Sequence, residues 1–333
     1  MSFSWQIPTF HYLSASLYRI QAAIFLQIYL FILQISSIGV IIKKNLGKEG
    51  AFMQIFKQEY NDCMVHHSID AHPNEADFPL HAHPFCEVFY FIQGDGYYTI
   101  EGRDYPLSPG SILLTRDGEI HKLHISDRVP YERMAIHFPL DEILQKNTPF
   151  GGLRSLFLDR SPGCGNLFTP KTGESAEFLA ACFARICRPH ASEADFALSL
   201  TANLPALLTE LCSMRENAPL PQSALKGESA TLLPEIIDYI NRHLTEIEGL
   251  AELEQRFFFS KSTLNRLFSS STGSTVWEYV VLKRLHAARR MLLDGKSAAI
   301  AAASCGFGDY SAFYRQYKRV FGESPKRERK TEK

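Results

Sequence analysis

KSTLNRLFSSSTG at residues 261–273 and CGFGDYSAFYRQYKRVFGESP at residues 305–325 each carry a short helix with one apolar face and one polar, basic face. In the first, Leu264, Leu267 and Phe268 fall at i, i+3 and i+4, so one stripe is buried. Ser262, Asn265 and Arg266 repeat the same spacing on the opposite face, near the start of the helix. Just upstream, Leu250, Leu253 and Phe257 mark a shorter helix, Phe258-Phe259-Ser260 supplies a turn, and the Ser260 hydroxyl suits the first orphan N–H groups of the next helix. Helix, tight turn, helix is the arrangement that presents side chains to a major groove, where Arg bonds guanine O6 and N7 and Asn pairs with the adenine N6/N7 edge.

The second copy starts at Ser297, an N-cap residue type, and runs through an alanine-rich helix to Cys305-Gly306-Phe307. Gly306 allows a left-handed helix end. Beyond Gly308-Asp309, Phe313, Tyr317 and Phe321 form a buried stripe, while Ser311, Arg315 and Lys318 face out and Gly322-Glu323-Ser324-Pro325 ends the helix. Residues 275–293 join the copies as one helix, about 28 Å long at 1.5 Å per residue, a rod that sets two recognition helices about one DNA turn apart. Charge follows the same division. From Arg256 onward there are sixteen Lys/Arg against six Asp/Glu, whereas the remainder holds nineteen against thirty, and the whole chain is at −1. The C-terminal part is therefore suited to a polyanion.

These two stretches resemble the double helix-turn-helix of the AraC/XylS family of bacterial transcription regulators, over roughly residues 233–329. The resemblance implies base-reading positions at Ser262, Asn265 and Arg266 and at Tyr310, Ser311 and Arg315, with a phosphate contact at Lys318. It also implies double-stranded DNA and RNA polymerase as partners. Departures stand at Phe258, where many relatives have a turn glycine, at Ala298 and Ala301 in place of branched apolar residues, and at Glu328 in place of a frequent Tyr. Each missing branched side chain forfeits about 2 kcal/mol of packing, so the second unit is expected to be the looser one and the first to supply most base discrimination.

Between Phe78 and Phe138 the pattern is strand-like. Residues 87–93, 97–100, 111–115, 121–125 and 131–138 read as strands separated by turns at Gly94-Asp95-Gly96 and Glu101-Gly102-Arg103-Asp104, the signature of a sandwich or barrel. His81-x-His83-x3-Glu87-x6-Gly94, with His121 on a later strand, resembles the first motif of the cupins. The second motif is incomplete, with Arg116 at its usual Pro and Ile125 at its usual Asn. Two His and one Glu from one segment, joined by a third His, are a ligand set for a divalent metal, and His81, His83, Glu87 and His121 are the metal candidates. The alternative is a metal-free pocket in which the same groups bind ligand. Strand alternation then turns Phe89 and Phe91 inward with Glu87, and Leu123 inward with His121. An aromatic wall with a few polar groups suits a sugar or a similar small polar metabolite.

The expected fold is α+β and multidomain: a cupin-like β-barrel at residues 53–140, a helical connector at 141–217, a linker at 218–231 and an all-α double helix-turn-helix domain at 232–330. Apolar faces at Phe178, Leu179, Cys182, Phe183 and Ile186, and at Phe196, Leu200, Leu204, Leu207, Leu208 and Leu211, place two amphipathic helices in the connector. Either they cover the barrel or, as the resemblance implies, they form a homodimer interface. Residues 1–52 are a hydrophobic extension. Within it residues 21–42 carry no charge, long enough for a membrane span, although a spurious upstream start is the expectation and a cytoplasmic location follows from it. Seven scattered cysteines without a Cys-x2-Cys pair read as reduced thiols. No phosphate-cradling Gly-rich loop and no Gly-x-Ser-x-Gly is present, so nucleotide use and serine hydrolysis have no support. The expected function is a sequence-specific transcription regulator, an activator by the habit of the resembling family, responsive to a small-molecule effector and not an enzyme. The alternative is a cupin metalloenzyme, an oxygenase or isomerase, with an appended helical domain.

Overall fold

The computed structural model describes residues 52–171, 173–216 and 228–328. The hydrophobic extension and most of the proline-containing linker lie outside the described residues. Among the described residues nine strands form two sheets. The larger has the order β1 (Phe52–Tyr60), β2 (Cys63–Asp70), β8 (Tyr131–Phe138), β3 (Cys86–Gln93), β6 (Ile112–Thr115), β9 (Leu167–Phe168), and the smaller has β5 (Arg103–Pro106), β4 (Gly96–Ile100), β7 (His121–Ile125). The barrel takes the form of two open sheets packed face to face. Phe89, Phe91 and Leu113 from the first meet Tyr98, Ile100 and Leu123 from the second in one buried cluster, so the inward parity expected for Phe89, Phe91 and Leu123 holds.

Strands β1 and β2 were not anticipated, because His66, His67 and Ser68 interrupt the apolar alternation that marks a strand. The expected turn at residues 101–104 is shorter: only Glu101 and Gly102 turn, both at positive φ, and Arg103 already begins β5. β9 comes from the connector and pairs with β6.

The connector continues with α1 (Leu140–Ile143), α2 (Ser155–Leu158), α3 (Glu174–Ile186) and α4 (Glu193–Glu216). The apolar faces of α3 and α4 are buried within this chain, with Tyr90 stacked on Phe183 at 4.7 Å and Tyr60 edge-on to Phe196 at 6.3 Å. They cover the outer face of the large sheet. Phe178 departs from the expected stripe and is exposed. By length and composition α4 would also cross a bilayer, but its leucines at 200, 204, 207, 208 and 211 are buried in the protein.

Helix α5 (Glu228–Arg242) begins inside the expected linker. There follow α6 (Leu250–Phe257), α7 (Lys261–Thr272), α8 (Val276–Leu293), α9 (Ala298–Ser304), α10 (Tyr310–Phe321) and α11 (Pro325–Glu328). Ser260, Thr275, Ser297 and Asp309 cap α7, α8, α9 and α10 with their side-chain oxygens, and Thr275 with Glu278 completes a capping box. Two cores hang on the rod α8. Leu253, Leu264, Phe268, Val276, Tyr279 and Val280 fill the first, and Leu285, Ala288, Leu292, Ala301, Phe313 and Tyr317 fill the second.

Candidate DNA interface and sensor interior

Helices α7 and α10 are the second helices of the two units, and each has its apolar stripe inward. Leu264 and Phe268, like Phe313 and Tyr317, are fully buried. The helix geometry therefore carries Ser262 and Arg266, and Ser311, Arg315 and Lys318, into solvent, and all five are exposed. Tyr310 is exposed too, at the first turn of α10. Asn265 departs from the outward placement expected. It is half-buried, and its Oδ1 accepts from the Val276 N–H at 3.2 Å, which ties the end of the turn to the start of α8. In this structure Asn265 therefore braces the turn against α8.

Local reasons fix each turn. Phe258 closes α6 in the left-handed conformation, φ +60°, with its ring 93% exposed. In the second unit Gly306 turns at φ +80°, and a Cβ there would meet the Arg284 guanidinium. Arg284 is buried and donates to the carbonyls of Leu244, Ile247 and Gly306 at 2.5–2.8 Å. It is thus a structural clamp that ties the loop after α5 and the turn after α9 to the rod. The small residues Ala301 and Ala302 bury completely against α8, but Ala298 lines an open cleft of about 520 Å³ with Leu292, Ala299, Tyr310 and Pro325.

The sensor domain lies directly on the first unit. Glu101, 0% exposed, takes hydrogen bonds from the Ile120 N–H at 2.7 Å, the Asn241 amide at 2.8 Å, the Tyr279 hydroxyl at 2.9 Å and the Lys283 ammonium at 2.9 Å. Arg103 pairs with Asp238 and Arg290 with Asp117, each at 2.9 Å. Ile120 joins the apolar core of the first unit. Part of the C-terminal positive charge therefore meets carboxylates of this chain.

Inside the sensor domain, His81, His83 and His121 each place Nδ1 at 2.8–3.0 Å from a backbone carbonyl, those of Pro79, Phe85 and Glu119. A carbonyl only accepts, so Nδ1 carries a proton in each ring; Nε2 of His83 also lies 3.4 Å from the Glu87 carboxylate, while Nε2 of the buried His121 has no hydrogen-bond partner. The ligand atoms of the three converge within 4.8 Å of one another, and His83, Glu87 and His137 form a second such group. Glu87 lies 3.4 Å from His83, 3.6 Å from His121 and 3.4 Å from His137. Burial alone would raise the Glu87 carboxyl, but the imidazoles of His137, His83 and His121 hold it well below the usual range. Burial and neighbouring imidazoles depress His121 strongly, and burial brings His137 down to about 4, against the pull of Glu87. Imidazole nitrogens around a buried carboxylate, with the buried Nε2 of His121 lacking a hydrogen-bond partner, are the donor set of a divalent ion. The residues fit such an ion.

His137 is an addition to the sequence-derived cluster: the strand pattern at 131–138 does not by itself show which face it takes, and the ladder sets it opposite Glu87. The same face of β8 carries Tyr131 and Arg133. Phe89 is buried in the aromatic cluster and forms part of the wall, with Tyr98 at 5.2 Å.

Two family models match in the order of these domains: the AraC-like ligand binding domain over residues 67–208 and a helix-turn-helix domain over residues 253–331. The chain belongs to the AraC family. This regulator is 25% identical over 263 residues to the HTH-type transcriptional activator RhaS of Yersinia pestis bv. Antiqua (strain Angola), covering 78% of the chain and 92% of the relative. RhaS of Yersinia pseudotuberculosis serotype O:1b (strain IP 31758) matches over the same shares at 25%. Among solved structures, ToxT from Vibrio cholerae O395 is 12% identical with a TM-score of 0.33, over 80% of this chain and 97% of that one. The AraC-family chain is thus a DNA-binding transcription regulator with a ligand-binding domain.

Proposed function

We propose that this AraC-family regulator is a sequence-specific activator in which α7 and α10 read successive major-groove segments on one face of a duplex. Ser262 and Arg266 contact bases in the first segment, and Tyr310, Ser311 and Arg315 do so in the second. Lys318 neutralises a phosphate. The observation that carries this reading is the outward placement of Arg266 and Arg315 on two capped helices hung from the single rod α8. The effector is a small polar molecule bound between the sheets near His81, His83, Glu87, Phe89 and His121. Any metal held by the histidines and Glu87 would fix those side chains and present a Lewis acid to the effector. Binding there reaches DNA through the segment that links His121 to Ile120 and Glu101, because those residues pack directly on the first helix-turn-helix unit.

The named RhaS relatives are activators, which supports activation here, with RNA polymerase as the further partner. Homodimerisation through the connector would use surfaces other than the buried leucine face of α4. The place of action is the cytoplasm, where DNA is accessible. Selection of bound fragments from genomic DNA tests the reading: enrichment of a few sites, with affinity falling steeply as salt rises, supports it, and uniform recovery of random fragments contradicts it.

A further inference from the structure

Beside the histidines, on the same interior face, lies a guanidinium that feels the Glu87 carboxylate only at a distance. Arg133 of β8 donates Nε to His66 Nε2 at 3.4 Å, a long contact. Its guanidinium lies 5.1 Å from the centre of the Phe78 ring and 5.0 Å from that of Tyr131. Among the described residues no Asp or Glu is within ion-pairing distance of it. Nη1 is buried without a hydrogen-bond partner, and so is the hydroxyl of Tyr131, a residue 1% exposed. A buried cation without an anion is costly, as is a buried hydroxyl without an acceptor. The Tyr131 oxygen can accept from the neighbouring guanidinium, but the Tyr131 hydrogen and the remaining guanidinium hydrogens still lack an acceptor, and these donors side by side point to a missing one. The backbone is shaped at this place as well: the β3–β8 register shifts between Phe91 and Gln93, opposite Arg133 and Glu132, and bulges of this type re-aim side chains. Phe78, His66 and Arg133 are each partly exposed, while Phe91 and Tyr131 are buried beneath them. The group therefore opens to solvent on one side.

We propose that Arg133 Nη1 and the Tyr131 hydroxyl form the receptor for the carboxylate of a small monoanionic effector, with Phe78 and Phe91 against its apolar body. This rests on the sensor domain being the effector site and names the chemical class that the site takes. One guanidinium neutralises one charge, so a monocarboxylate fits and a phosphate dianion leaves charge unmatched. The aromatic rings favour an acid with a hydrocarbon portion over a sugar.

The experiment uses the full chain and two variants, Arg133→Met and Tyr131→Phe. Thermal melting and isothermal titration are run with straight-chain monocarboxylates from acetate to octanoate, with the matching uncharged amides, and with inorganic phosphate, each with and without EDTA. At least one carboxylate is expected to raise Tm and bind at least tenfold more tightly than its amide and than phosphate, equally in EDTA. Arg133→Met is expected to lose that preference while melting no lower than the parent without acid, since it removes an unmatched charge. Tyr131→Phe is expected to weaken it. Three results overturn the proposal: no carboxylate preferred over its amide, tighter binding of phosphate, or a carboxylate response that vanishes in EDTA and survives in Arg133→Met. A lower Tm for Arg133→Met without ligand would likewise overturn it by giving Arg133 a structural role. DNA binding by the unliganded variants reports separately on the regulator reading, because neither residue touches the helix-turn-helix units.

Discussion

Tyr279, on the rod between the two DNA-reading units, donates its hydroxyl hydrogen to Glu101 of the sensor domain at 2.9 Å, with both residues fully buried. Burial and the neighbouring Glu101 push the Tyr279 phenol well above its usual range, so it is the donor. Together with Lys283 and Asn241 it satisfies every bond Glu101 makes to the DNA-binding domain.

Glu101→Gln keeps the size and turns part of an acceptor into a donor facing Tyr279, Asn241 and Lys283. It is expected to cost about 3 kcal/mol, the range for breaking a buried ion pair. Tyr279→Phe, which removes one neutral donor, is expected to cost about 1.5 kcal/mol, and the double variant less than the sum of the two. Urea unfolding of the full chain measures all three.

Phe258 holds φ +60° in the first turn, a conformation that costs a side-chain-bearing residue about 1–2 kcal/mol and glycine little. Its ring is solvent-exposed, so no packing is lost on removing it. Phe258→Gly is expected to stabilise the protein by about 1 kcal/mol after the added freedom of the unfolded chain is counted. A lower Tm would show that the ring makes a contact in solution.

His286, on the rod, is buried against the Phe321 ring at 5.1 Å, and burial together with Arg289 brings its pKa from 6.5 down to about 3. The unfolded chain therefore binds the proton more readily. Stability from this group is complete above pH 6.5 and declines as pH falls from there toward 3, by about 1.4 kcal/mol per unit. Between pH 6.5 and 4.5 the parent should lose about 2–3 kcal/mol more than His286→Leu. Equal losses from chemical denaturation at the two pH values would contradict the buried neutral state.

Removing Arg266 or Arg315 is expected to cost about 1–3 kcal/mol of discrimination at the contacted base, while Lys318→Ala weakens all sequences alike and lowers the salt slope by about one. The expectation that the first unit supplies most base discrimination assigns the larger loss to Arg266→Ala. Intact preference in Arg266→Ala with lost preference in Arg315→Ala reverses that ranking.

The C-terminal half was legible because local signals decide it. Caps at Ser260 and Ser297 and the stripe Phe313, Tyr317, Phe321 depend on spacing along one helix, and the structure places those two caps as expected, adds Asp309 as the cap of α10, and has Phe313 and Tyr317 buried and Phe321 half-buried. The half-buried position of Asn265 does not follow from helix spacing, because its partner, the Val276 N–H, belongs to the next helix. In the sensor domain the cluster of His81, His83 and Glu87 was visible from one short motif. His137 and Arg133 needed the register of β8 against β3, and the Glu101 contacts join residues up to 182 positions apart. Nothing along the chain announces such pairs.

Hydroxyl-radical and methylation footprinting of the full chain on a selected genomic fragment tests the central claim most directly. Two protected major-groove segments about one helical turn apart on one face of the duplex are predicted, the first lost in Arg266→Ala and the second in Arg315→Ala. A single protected segment, protection on opposite faces, or a pattern unchanged by either substitution would contradict the account.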